Sequence, residues 1–518
     1  MHRSACAGVA RFSSSRRRGV VDLLCVFLLG SCGPPPREAP DASIDTNTGD
    51  GSRPSCKVLP DTGDASPVCN GKARPTAFEA ELQWSWTNPT EPSSNTTPLV
   101  ANLTDDNGDG AIDLCDIPDI VVVGQPRCGY NETGHIYVLD GATGALHRRF
   151  SEAVASVTPA IGDLDGDGVP EVIAVDPQGA ILAFEADGTV RWRNGQYPGR
   201  SPISLQGGSI ALADLDHDGG VEIIVGSSVF DRTGAWRWTA PTPHDVWPST
   251  IAADLDGDGL MEVVLGKTAY HHDGSPYYTT DLWAGFPQIA NFDDDPEPEI
   301  VLASWYGVSL LQHDGQISYS SRQPTGDLGS NTWYRPATIR DLDGDHIPEF
   351  LMSSKNHYSA LHHDAAVLWS SAAGIDITGS AGGTAFDFLG DGTFEVVYAD
   401  ETTLHVFDAS GATRFETIHE TGTIEENPVV ADIDNDGAAE IVVVASSVYG
   451  APQVPMVRVF RDPDDRWAPA RRIWNQHSYH VTNIREDATI PQFEIPSWQA
   501  ANTYRINSSP SCDGVILR

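Results

Sequence analysis

A nine-residue pattern recurs along this 518-residue chain: acids at alternate positions 1, 3 and 5, glycine at 6, and a further acid at 9. Five copies keep all four carboxylates: DLDGDGVPE (Asp163, Asp165, Asp167, Glu171), DLDHDGGVE (Asp214, Asp216, Asp218, Glu222), DLDGDGLME (Asp254, Asp256, Asp258, Glu262), DLDGDHIPE (Asp341, Asp343, Asp345, Glu349) and DIDNDGAAE (Asp432, Asp434, Asp436, Glu440). The copy from Asp341 has His346 in place of the glycine, and three further copies are altered. NFDDDPEPE offers Asn291, Asp293, Asp295 and Glu299 but has Pro296 in place of the glycine; DFLGDGTFE keeps Asp387, Asp391 and Glu395 but has Leu389 at position 3; DDNGDGAID offers Asp105, Asn107, Asp109 and a shorter terminal arm, Asp113. Two unit charges 4 Å apart repel by about 4 kcal/mol at an effective dielectric near 20, so four gathered carboxylates need a compensating partner. Ca²⁺ supplies it: the ion takes six to eight hard oxygens in flexible geometry, and a curled backbone brings positions 1, 3, 5 and 9 onto one centre. Mg²⁺ demands near-octahedral geometry and keeps its waters, and so fits less well. Asp and Gly also make ordinary turns, but a simple turn does not require an acid held at position 9 in copy after copy. An EF-hand closes with an acid at 12 between helices, and these loops differ on both counts.

The flanking residues say what positions the loops. Short apolar runs precede them (TPAIG, STIAA, NPVVA) and β-branched runs follow (EVIAV, EIIVG, EVVLG, EIVVV). A hairpin with an Asp/Gly turn comes next, as in ILAFEADGTVRW and LHVFDASGATRF. Apolar stretches of four to eight residues between such turns are strands. Loop starts lie between 37 residues (Asp254 to Asn291) and 58 residues (Asp105 to Asp163) apart, which accommodates four strands per repeat. The expected fold is therefore all-β: a β-propeller of four-stranded blades, eight in number, with seven as the alternative count. The last unit has three strands of its own, and the N-terminal FEAELQWSW, which has no hairpin before it, is expected to supply the fourth and close the ring.

These loops resemble the calcium loops of FG-GAP and VCBS repeats, found in integrin α-subunit propellers and in exported bacterial proteins, over residues 76–465. The FG and GAP tripeptides themselves are not kept in most copies, so the likeness is to the cation loop and blade plan, and integrin ligand specificity is not implied.

Composition bounds the partners. With 72 acids against 32 bases and a formal net charge of −40, the chain is ill suited to nucleic-acid phosphates. Arg16, Arg17 and Arg18 precede a short apolar run interrupted by Asp22, and LGSC at 29–32 resembles a bacterial lipobox. The expected organisation is a signal peptide over 1–31, lipidation at Cys32, a Pro/Asp/Ser-rich flexible tether over 32–75, the propeller over 76–465 and an extension over 466–518. An outer-membrane or cell-surface lipoprotein is expected, with a secreted or periplasmic protein as the alternative. In an exported chain Cys56 with Cys69, and Cys115 with Cys128, read as two local disulfides, leaving Cys512 over.

Other constellations carry less. His272, His313 and His363 sit by three separate hairpin turns, which argues against a shared zinc site. Trp236, Trp238, Trp247, Trp305, Tyr306, Trp333 and Tyr334 suit either blade packing or platforms for sugar rings. IYVLDGATGAL resembles one quinoprotein repeat, but the other blades drift from it. The extension, dense in Trp, Asn, His and Arg, is expected to lie across the disc face as a partner-binding edge. The function expected is a calcium-binding surface module for a protein or glycan, with no catalytic residues assigned; a propeller carbohydrate-active enzyme of the polysaccharide-lyase kind is the alternative.

Overall fold

The computed structural model describes residues 56–58, 64, 69–129, 131–194, 208–241, 249–293, 295–324, 335–374, 381–447 and 450–510. The expected signal peptide, Cys32, Cys512, Trp247, Trp333 and Tyr334 lie outside these residues. Eight antiparallel sheets of four strands follow one another along the chain, with one short additional strand, Val154–Ala155, on the first. We number the blades 1 to 8 by their first strands: Leu99–Ala101, Ala160–Gly162, Ile210–Ala213, Ile251–Ala253, Gly285–Ala290, Thr338–Arg340, Gly383–Phe386 and Val429–Ala431. First strands of most successive blades meet one another, so they form the hub of an eight-bladed propeller. Blade 8 takes its outermost strand from the far end of the chain: Glu81–Trp86 pairs antiparallel with Val457–Arg461. The ring thus closes as the sequence implies, without leaving that edge open.

Burial follows the apolar pattern. In blade 2 the strands AIG, EVIAV and ILAF are wholly buried, because neighbouring blades cover both their faces. The outer strand VRWRN alternates between exposed and half-buried positions. A register shift separates the third and fourth strands in every blade, and such bulges sharpen the local twist. The outer strand then lays an aromatic ring on the hairpin glycine of the next blade. A Cβ built at Gly234 (φ +75°) would stand 2.5 Å from Trp192, and one at Gly274 (φ +84°) 2.7 Å from Trp238. Trp238 also donates its indole N–H to the His272 carbonyl at 2.8 Å. Trp238 is accordingly a packing residue and not a sugar platform.

The C-terminal extension departs from expectation. Trp467, Trp474 and Tyr479 are fully buried, and the segment threads the hub. First strands have an unpaired inner edge, and the extension satisfies it. Val100 and Trp474 exchange two backbone hydrogen bonds (3.0 and 2.9 Å); the Ile161, Asp163 and Ile339 N–H groups donate to the carbonyls of Asn475, Ala488 and Tyr504. Leu212 N–H donates to Gln476 Oε1, Asn291 N–H to Asn502 Oδ1, and Asn507 Nδ2 to the Val430 carbonyl. Unmet backbone groups in a dry interior are costly, which explains why the aromatic and amide cluster faces inward instead of forming an exposed edge. Among the described residues of the extension, Phe493 and Ile495 are the large apolar side chains that are strongly exposed.

The cysteine pairing also differs. Cys56 is bonded to Cys115 across 59 residues of sequence, so neither the Cys56–Cys69 nor the Cys115–Cys128 pair forms; Cys69 and Cys128 are nonetheless disulfide-bonded. The reason is that the tether's end is docked. The Leu114 N–H donates to the Cys56 carbonyl, Asp64 pairs with Arg471 at 2.7 Å, and Asn70, Lys72 and Arg74 donate to the carbonyls of Asp465, Asp464 and Trp467.

Trp474 stacks on Tyr479 with ring centroids 4.5 Å apart. Trp474→Ala should cost about 3–5 kcal/mol of stability, read as a lower melting temperature of the whole ring. An unchanged melt would mean that the extension is not part of the cooperative unit.

Candidate metal centres

Each acidic loop joins the first strand of its blade to the second. Because blade strands alternate in direction, all eight loops and all the third-to-fourth hairpins lie at one end of the propeller. The blade 2 loop shows how the sequence folds locally. Asp163 Oδ1 accepts the Gly166 N–H at 2.7 Å and its Oδ2 the Gly168 N–H at 2.9 Å. Asp167 Oδ1 accepts the Val169 N–H at 2.8 Å. Gly166 (φ +79°) and Gly168 (φ +88°) hold left-handed conformations, which closes the curl.

The acid at position 9 opens the second strand and reaches back across the loop. One of its oxygens accepts the N–H of position 2 in every repeat from blade 2 to blade 8: Leu164 to Glu171 (2.8 Å), Leu215 to Glu222 (3.0 Å), Leu255 to Glu262 (2.9 Å), Phe292 to Glu299 (2.7 Å), Leu342 to Glu349 (2.9 Å), Phe388 to Glu395 (3.1 Å) and Ile433 to Glu440 (3.0 Å). The second oxygen is left to face the loop. In blade 2, oxygens of Asp163, Asp165 and Glu171 lie within 4.8 Å of one another.

Several of these oxygens are buried without a hydrogen-bond partner: Asp214 Oδ1, Glu299 Oε1, Asp432 Oδ1, Asp434 Oδ1 and Glu440 Oε1. They occupy positions 1, 3 and 9, the positions a cation would use, so the donor chemistry fits a hard divalent ion. Blade 8 is the most enclosed case: Asp432 and Glu440 are almost fully buried, and Asn70 of the docked tether, Gln83 of the closing strand and Arg472 of the extension bond to the loop. Burial pushes the Glu171, Glu262 and Glu299 carboxyls up to about 7, and Glu222 and Glu395 up to about 8. Asp432 and Glu440 rise well above the ordinary range, through burial first and then neighbouring carboxylates.

The loops differ in what stands beside the acids. In blade 2, Arg191 pairs with Asp165 and approaches Glu171 (3.4 Å) and Glu185 (3.0 Å). In blades 4 and 6 a histidine at the hairpin start meets the terminal acid: His271 Nδ1 to Glu262 Oε1 at 2.9 Å and His362 Nδ1 to Glu349 Oε1 at 3.0 Å. In blade 7, where Leu389 removes a ligand, Arg74 lies against Gly390, and Asp387 opposes the lowering of its guanidinium by burial. In blade 5, Asn291 is tied to Asn502 through its backbone while Glu299 keeps its free oxygen. His272, His313 and His363 sit on the hairpins of blades 4, 5 and 6 respectively, each on its own blade.

Blade 1 reveals residues that sequence matching missed. Its loop is longer, and the acid that opens the second strand is Asp119, which accepts the Leu103 N–H at 2.9 Å as the glutamates do elsewhere. Within the insertion, Asp105 accepts the Gly108 and Gly110 N–H groups (2.8 and 3.0 Å), so the Asp105–Asn107–Asp109 curl survives. Asp113 instead accepts the Cys115 N–H, and the buried Asp116 gathers the N–H groups of Asp106, Asn107 and Asp113. The spacing of Asp116, eleven residues after Asp105, was visible in the sequence; aligning by strand instead of by acid pattern would have found Asp119.

These folded-state carboxyl values lie above the ordinary 4.5. Without metal, the folded protein therefore holds more protons than the unfolded chain between about pH 4.5 and 8, and stability falls as pH rises through that window. We expect melting temperatures in chelator to drop between about pH 5 and pH 8, and excess calcium to abolish the drop by taking the protons' place. A chelated melt that is flat or rising with pH would contradict this account of the loops.

Two stretches, 163–225 and 387–443, match the FG-GAP-like repeat family. No curated protein matches the chain in sequence. Among solved structures the V. cholerae biofilm matrix protein Bap1 superposes with a TM-score of 0.71 at 22% identity, over 83% of this chain and 99% of that one. Exotype rhamnogalacturonan lyase YesX (TM-score 0.47, 17% identity, 75% of each chain) and a Bacillus licheniformis rhamnogalacturonan lyase (0.47, 15%, 87% of this chain and 82% of that one) are more distant. The lyase superpositions are too loose to bear on function. With the blade plan, the closing strand and the repeated acidic turn in place, the chain is an eight-bladed β-propeller, two stretches of which match FG-GAP-like repeats.

Proposed function

We propose that this chain is an exported, calcium-braced adhesion module that holds a protein or glycan at the cell surface, with membrane contact through a lipid on Cys32. The observation that carries the calcium half is the set of buried, unpartnered carboxylate oxygens at ligand positions, three of them in the blade 8 loop. Extracellular calcium is abundant enough to fill sites with dissociation constants of about 10⁻⁴–10⁻³ M. The ion's role is structural. It compensates the loop charge and pins the first strand of a blade to the second, adding about 2.7 kcal/mol per site at a hundredfold excess over its dissociation constant. The adhesion half is supported by the fold that the chain shares with Bap1, a biofilm matrix protein. Among the described residues no helix is long and apolar enough to cross a membrane.

Elemental analysis of the native protein should find bound calcium, and chelation should lower its melting temperature by several degrees. Glu440→Gln should reproduce part of that loss in calcium, whereas Leu389→Asp in blade 7 should add a ligand and raise calcium content. A calcium-free native protein with an unchanged melt in chelator would remove the metal claim. A glycan-array and pull-down screen in which nothing is retained would remove the adhesion claim.

A further inference from the structure

The end of the propeller opposite the acidic loops carries the second-to-third turns and the links between blades. On blades 4, 5 and 6 these turns contain, in order, Lys267, the pair Trp305–Tyr306, and Lys355–Asn356. The chain has four lysines, Lys57, Lys72, Lys267 and Lys355, and the only two within the blades flank this one aromatic pair. Trp305 is 41% and Tyr306 46% exposed; Trp283, in the link from blade 4 to blade 5, is 58% exposed. Trp283 and Tyr306 touch with ring centroids 4.4 Å apart and planes tilted by 42°. The link is fastened to the lysine turn, since Thr280 donates both its N–H and its Oγ1–H to the Lys267 carbonyl at 3.0 Å. Lys355 and Asn356 are exposed and Lys267 is half-buried.

Beyond the contacts they make, these three rings keep 41–58% of their surface exposed. The aromatics that join blades lie on outer strands against hairpin glycines, and those that fill the hub are buried. Large rings gathered on the surface mark an interaction site, and cations beside them select the charge of what docks. The lysines stand out the more because the chain carries a net charge of −40.

We propose that the turns of blades 4, 5 and 6 dock a uronate-type polysaccharide: its sugar rings lie on Trp283, Trp305 and Tyr306, and its carboxylates meet Lys267 and Lys355. This narrows the adhesion reading above, on which it rests, to one face and one ligand class.

The test is titration of the full chain, at constant calcium, with oligogalacturonides, neutral malto-oligosaccharides and dextran sulfate. Oligogalacturonides should bind most tightly. Trp305→Ala and Tyr306→Ala should each weaken binding about tenfold or more, and Trp305→Phe should restore much of the loss. The Lys267→Gln/Lys355→Gln pair should weaken binding and flatten its salt dependence. Asp281→Asn, in the same link, should tighten it by removing a repelling charge. Melting curves in calcium should be the same for all of these surface variants. No binding of oligogalacturonides by the wild type, a preference for dextran sulfate, or variants that bind like the wild type would each overturn the proposal. If the chain instead retains another glycan or a protein with these variants unaffected, the adhesion reading stands and this assignment of the face falls.

Discussion

The structure depends on how a carboxylate at the start of each second strand divides its two oxygens. One closes the turn by taking the N–H of position 2; the other is left facing two or three more acids in a place with little water. A buried anion without a partner is untenable, so every blade must answer the same question of compensation. The answers differ. Blade 2 brings Arg191 onto Asp165 and Glu171, blades 4 and 6 bring a histidine, and blade 7 drops a ligand and has Arg74 alongside. Blade 8 has carboxylate oxygens with no protein partner at all. The repeat therefore preserves the turn more strictly than its means of neutralisation, and the loops should not be treated as equivalent sites.

Closure rests on both ends of the chain. The strand Glu81–Trp86 completes blade 8 from outside, while the extension joins the first strands from inside, where a hub of short strands would otherwise leave backbone groups unmet. These two devices act on opposite edges of the blades. The tether adds a third tie by fixing Cys56 to the blade 1 insertion and Asp64 to Arg471. The ring is thus held radially by hub and rim, and circumferentially by aromatic rings seated on the glycines of neighbouring hairpins.

What could be read from the sequence was whatever repeats. The strand order, the blade count, the donated strand and the acidic turn each follow from local patterns that recur. The misreadings all concern contacts made once. Cys56 lies 59 residues from Cys115, and no local spacing reports a partner brought near by ring closure. The extension's aromatics and amides suggested an exposed edge because their real counterparts, the inner edges of first strands, are distant in sequence and carry no side-chain signal. Asp119 was missed because an insertion moved the acid pattern away from the strand that it serves. Nothing in the sequence separates His271 and His362, which meet the glutamates, from the adjacent His272 and His363, which lie one position further around each hairpin.

Topology also gives the two ends of the molecule different freedom. At the loop end, every residue type is constrained eight times over by the turn, the curl and the need to neutralise charge. At the other end, the second-to-third turns have only to reverse the chain, which any short polar sequence can do. Residues there that are large, aromatic or cationic are not explained by reversal: Trp305 and Tyr306 bridge two strands that a pair of small residues would join at less cost in exposed apolar surface. In a repeat fold the positions free of the repeat are those where specificity can be written without endangering the ring. The short turns of blades 4 to 6 carry the exposed aromatic pair and both propeller lysines in adjacent blades, and it is on these residues that the recognition proposal rests.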